Sequence, residues 1–143
     1  MLRSVCAIIV LLALAGCGDR RSASSAINAF APAPVMMMNR AVAADKKAEN
    51  LVALDLRGIS TFTDFFVICS GTSEPHLKAI AGEIEHRLKA DDNVAPAAVD
   101  GYPMSHWIVI DYTDVVVHIF HEQKRGFYSL EDLWSDAPRL ALT

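Results

Sequence analysis

Apolar residues recur along this chain with two different periods, and the switches between them mark out its elements. Leu51 to Leu56 is a short apolar run ending in Asp55-Leu56-Arg57-Gly58, which predicts a buried strand closed by a turn. Thr63 to Ser70 predicts a second strand. Its unbroken run of Phe65, Phe66, Val67 and Ile68 calls for burial on both faces, as in the middle of a covered sheet. The period then becomes helical, with Leu77, Ile80, Ala81, Ile84 and Leu88 on one apolar stripe. Thr72 or Ser73 supplies the N-cap, Glu74 and Pro75 suit the first turn, and Asp91-Asp92-Asn93 ends the helix.

Val94 to Val99 predicts a third strand, interrupted by Pro96 and therefore suited to a sheet edge. His106 to Tyr112 and Asp114 to His121 predict a hairpin across Asp111-Tyr112-Thr113-Asp114, although that junction lacks the glycine of a tight primed turn. Glu122 to Tyr128 and Ser129 to Trp134 predict two short helices, the second opening on a cap-like Ser129-Leu130-Glu131-Asp132. Ahead of the first strand, Asn39 to Asn50 predicts a helical lead-in carried by Ala41, Ala43, Ala44 and Ala48. The order β-β-α-β-β-β-α implies a single α/β domain, a mixed β-sheet flanked by helices.

Composition adds constraints. Hydrophobic residues make up 52% and charged residues 21% of the 143, which supports a packed core and disfavours wholesale disorder. A formal net charge of −4 gives no basic footprint for gripping nucleic acid directly, but leaves open docking on a basic protein of a nucleoprotein particle. Cys69 is the one cysteine in the body of the chain, so neither an internal disulfide nor a thiolate metal site is expected. Residues 1–38 form a leader distinct from the domain at 39–143. Arg3, the apolar stretch Val5 to Ala15, and Leu14-Ala15-Gly16-Cys17 have the pattern of a lipoprotein signal, with Cys17 as the residue to be lipidated. Against this, Met36, Met37 and Met38 offer starts directly before the patterned body. The first reading makes a membrane-anchored lipoprotein, the second a cytoplasmic protein.

Several collinear blocks resemble the ribosomal silencing factor (Iojap-related) family. They are Val52-Ala53-Leu54-Asp55-Leu56-Arg57-Gly58; Phe62 to Ile68; Ser70-Gly71-Thr72-Ser73 with His76; Trp107 to Tyr112; Asp114 to Phe120; and Tyr128-Ser129-Leu130-Glu131 to Leu133-Trp134. Together they cover nearly everything from Asp45 to Arg139. Thr113 departs from the family, whose members often carry glycine there. The resemblance implies a nucleotidyltransferase-like fold without catalysis, no cofactor and no metal. It implies a translational repressor that docks on ribosomal protein L-fourteen of the large subunit, blocks joining of the small subunit and forms homodimers when free. It also decides between the two N-terminal readings, because a ribosome-binding protein has its partner in the cytoplasm.

Within these blocks the partner-binding residues are expected among Trp107, Asp111, Tyr112, Asp114, His118, Phe120, Tyr128 and Trp134. Trp107 leads, since large aromatics dominate interface hot spots, although packing beneath a helix explains it equally well. Phe127-Tyr128 with Glu131, Asp132 and Asp136 would complement a basic partner, or simply line a solvated helix face. Gly71, Thr72 and Ser73 at a helix N-terminus suit either a phosphate or ordinary capping, and capping is the preferred reading, with His76 as a local hydrogen-bond partner. Asp111, Asp114 and His118 carry oxygen and imidazole donors near one hairpin, the basis of an alternative as a magnesium-dependent nucleotidyltransferase. Nucleotide consumption by purified protein, lost in Asp111→Asn, would establish that alternative.

Overall fold

The computed structural model describes residues 33–43, 48–102 and 106–142. In chain order the elements are α1 (Ala33–Ala43), β1 (Glu49–Asp55), β2 (Phe65–Gly71), α2 (Glu74–Asp92), β3 (Ala98–Asp100), β4 (Trp107–Asp111), β5 (Val115–His121), α3 (Glu122–Tyr128), α4 (Leu130–Leu133) and β6 (Arg139–Leu140). The six strands form one sheet in the order β3-β4-β5-β2-β1-β6. The β2–β5 pair is parallel and the rest are antiparallel, so the sheet is mixed, as the element order predicts.

All seven residues of β2 are buried, which is what its unbroken apolarity calls for. One face of the sheet packs Phe65, Val67, Cys69, Ile108, Ile110, Val117 and Ile119 against α1 and the predicted stripe of α2. The other face packs Phe66, Ile68, Trp107, Val109, Val116 and Phe120 against Leu130, Trp134 and Ala137 from the C-terminal segment. Each large apolar side chain buried in this way contributes about 1.5–3 kcal/mol.

Three local expectations need correction, and one element was not expected. The lead-in helix runs from Ala33 to Ala43, not from Asn39 to Asn50, and a strand already begins at Glu49. Pro34 suits a first turn, and the methionines behind it are good helix formers. Tertiary packing then fixes the helix, because Val35, Met38, Ala41 and Val42 all bury in the core. The edge strand shrinks from Val94–Val99 to Ala98–Asp100, beyond Pro96, which has no N–H to give to a ladder. Ser129 makes no side-chain cap on α4. It takes a left-handed φ of 43° between the two short helices, and its hydroxyl donates to the Gly126 carbonyl at 2.5 Å. Finally, β6 is a two-residue strand whose pairing with Ala53 and Leu54 left no periodic signal in the sequence. The signal-like segment Met1 to Cys17, including Cys17, lies outside the described residues.

Candidate functional site

The β4–β5 register places Trp107 opposite Phe120, Val109 opposite His118 and Asp111 opposite Val116. Strand alternation therefore gathers Trp107, His118 and Phe120 on one face of the sheet. There Trp107 stacks on Phe120 with ring centroids 4.9 Å apart and a 23° interplanar angle. Its indole N–H donates to Nδ1 of His118 at 3.2 Å. Tyr128, at the end of α3, closes over this pair, 4.8 Å from the Trp107 ring and 5.9 Å from that of Phe120. On the inner side Phe66 meets His118 edge-on at 4.5 Å and Trp134 at 5.6 Å. Offset and edge-to-face arrangements of this kind give each ring pair a favourable quadrupole contact beyond its buried area.

The structure thus brings five of the eight expected partner-binding residues into one aromatic cluster and sorts them by depth. Trp107, His118, Phe120 and Trp134 are buried, whereas Tyr128 is 39% exposed and its neighbour Phe127 80% exposed. Phe127 packs edge-on against Tyr128 at 5.2 Å, so an apolar surface continues outward from the buried rings. Lys124 lies 6.0 Å over the outer ring.

The other three sit apart, at the hairpin end. Asp111 accepts a hydrogen bond from the Thr113 amide at 2.7 Å, a turn-stabilising contact. Asp114 presents an exposed side chain, and its carbonyl accepts from the Asp64 and Phe65 amides and from the Thr63 hydroxyl. Tyr112 faces the opposite side of the sheet, packed against the α2 core, and burial pushes its phenol up to about 12.

Chemistry at His118 is governed by its depth. Burial pulls the imidazole down to about 3, so the ring is neutral over the ordinary pH range. With Nδ1 accepting from Trp107, the proton resides on Nε2. Asp111, Asp114 and His118 do not converge on a cation site: among the described residues no group of three His, Cys, Asp or Glu side chains could hold a metal ion. Cys69 is buried and its thiol is pushed up to about 12, which makes it a packing group.

At the start of α2, Ser73 is the N-cap and its Oγ accepts from the His76 amide at 3.3 Å. The Thr72 amide, which would face a bound phosphate, donates to Nδ1 of His76 at 3.0 Å. Gly71 sits in a tight place, because a Cβ there would stand 2.8 Å from Cδ1 of the buried Leu77 and that side chain would have to shift.

Sequence reasoning missed Arg125, whose guanidinium ties α3 to β1, β2 and α4. It also offered Glu131 as a surface acid for a basic partner. Glu131 is 16% exposed and ion-paired with Arg125, so its charge is spent internally. An Arg–Glu pair six residues apart across a helix break leaves no helical-spacing signature, so no periodic pattern announces it.

Comparison with known proteins identifies the family and the fold. A family model described as ribosomal silencing factor during starvation matches residues 32–143. The ribosomal silencing factor of Halalkalibacterium halodurans is 46% identical over 98 residues, which cover 68% of this chain and 83% of that protein. The Bacillus subtilis factor is 42% identical over 105 residues, covering 73% and 87% respectively. A crystal structure of a Bacillus halodurans protein superposes with a TM-score of 0.66 at 41% identity, covering 76% of this chain and 97% of that one. A Chromobacterium violaceum crystal structure, at 24% identity and the same TM-score, shares the fold. On these matches the chain belongs to the ribosomal silencing factor family.

Proposed function

We propose that this protein represses translation by docking on the large ribosomal subunit through ribosomal protein L-fourteen, where it blocks joining of the small subunit. The observation that carries the proposal is the family match along residues 32–143. The surface at Phe127 and Tyr128 supports it, because exposed aromatics backed by a rigid, buried Trp107–Phe120 stack have the makings of an interface hot spot. In this reading Tyr128 and Phe127 touch the partner, while Trp107, Phe120, His118 and Trp134 keep that surface in shape. Asp111, Tyr112 and Asp114 lie at the hairpin end and serve at most as its rim. The protein acts as a binding factor, not an enzyme, works in the cytoplasm and self-associates when free.

Purified protein is expected to co-sediment with large ribosomal subunits and to lower the yield of joined ribosomes in proportion to occupancy. Failure to bind isolated large subunits would sink the proposal. Loss of binding to L-fourteen alone, with subunit binding retained, would move the docking site to another component. Identification of the mature N-terminus by mass spectrometry tests the compartment, since a lipid on Cys17 would place the protein at a membrane.

A further inference from the structure

None of the seven residues of α3 is buried, and Phe127 within it is four-fifths exposed. A short helix with no buried residue and a single apolar contact on the sheet is weakly held, since most helical stability in proteins comes from tertiary packing. Yet α3 delivers Tyr128 onto the ring of Trp107. Arg125 supplies a second, polar attachment. Its side chain is 13% exposed, and Nη1 donates to the Asn50 carbonyl at 2.7 Å and to Oγ of Ser70 at 2.8 Å. Nε and Nη2 both donate to Oε1 of Glu131, at 2.8 and 2.5 Å.

These acceptors belong to three different elements, β1, β2 and α4. The Asn50 carbonyl lies where β1 is irregular: Asn50 has a φ of 51° and the β1–β2 register shifts between Glu49 and Val52. A shift of this kind disrupts the ladder locally and leaves backbone groups to find other partners. A guanidinium spreads five N–H donors over three nitrogens in a fixed planar fork, so it meets separated acceptors on two edges at once; an ammonium has three donors on one compact, rotatable centre.

We infer that Arg125 is a positioning residue for partner docking: by bonding Asn50, Ser70 and Glu131 together it sets the seat of α3 and holds Phe127 and Tyr128 as a preformed surface. Preformed order spares the partner the entropy of immobilising the helix. The inference rests on the docking surface proposed above.

Hydrogen exchange of Arg125→Met tests it, read at the amides of Ser129, Asp132, Leu133 and Trp134, which bond within the α3–α4 segment. Those amides should exchange at least tenfold faster, those of α2 should change less than twofold, and affinity for purified large ribosomal subunits should fall at least tenfold. Arg125→Lys should give an intermediate effect, and Ser70→Ala a smaller one at the same amides. Should Arg125→Met fail to fold, these two milder variants carry the same comparison. Unchanged exchange in α3–α4, or acceleration spread evenly through α2 and β5, would overturn the inference. Tyr128→Ala separates it from the reading beneath it. Full subunit binding by Tyr128→Ala refutes the docking surface itself, whereas weakened binding there with unchanged binding in Arg125→Met refutes the role of Arg125 alone.

Discussion

His118 shows how a single residue changes meaning with depth. On a strand near two aspartates it invites a metal-ligand reading, but it is fully buried and accepts from the Trp107 indole. Its pKa falls from an ordinary 6.5 to about 3 because burial disfavours the charged ring. Between those values the unfolded chain takes up a proton that the folded protein refuses. The resulting stability is complete above about pH 6.5 and is lost progressively as the pH falls toward 3. Urea midpoints should therefore drop between pH 6.5 and 4, and more shallowly in His118→Phe; equal slopes in the two proteins would contradict this. Asp55 does not confuse the window, since its hydrogen bond with Arg57 holds that carboxyl below the usual range, and its share is lost only at lower pH. The strand and its alternation were legible in sequence, but which rings surround the imidazole depends on β2 and the C-terminal helices.

At the scale of elements, the hairpin turn carries a measurable flaw. Thr113 occupies a left-handed φ of 72°, a conformation that a β-branched residue adopts only under strain. Thr113→Gly should stabilise the protein by about 1 kcal/mol, raising Tm by roughly 4–8 °C in thermal denaturation. A lower Tm would mean that the threonine side chain contributes more than its backbone costs. The α2 helix needed no structure to be found, because its stripe, cap and stop residues are all local signals. α1 is the opposite case. Its register follows from Met38 and its neighbours packing on the sheet, and Met38→Ala should cost about 2–4 kcal/mol in chemical denaturation. A cost below 1 kcal/mol would show that α1 is peripheral to the core.

For the molecule as a whole, both sheet faces are buried core, one beneath α1 and α2 and the other beneath the C-terminal segment, and the second continues through the aromatic cluster to exposed rings. Phe127→Ala tests that exposed surface, because the ring is mostly exposed and contributes little to folding. Its stability should stay within about 0.5 kcal/mol of the parent, while its affinity for large ribosomal subunits falls severalfold. Unchanged affinity would remove Phe127 from the docking surface. Val35 is fully buried in the first face, so a chain begun at Met36 should melt below one begun at Pro32. Equal melting temperatures would support the shorter chain as a complete folding unit.

The sequence by itself determined five of the six strands in outline, the long helix, the mixed α/β class and the family, because apolar periodicity, caps and motif blocks are properties of neighbouring residues. Tertiary structure alone decided which aromatics are buried and which are exposed, since burial depends on what the sheet register and the C-terminal helices bring together. It also decided the role of Arg125. Its acceptors, Asn50 and Ser70, lie 75 and 55 positions away along the chain, and only folding places them around one guanidinium.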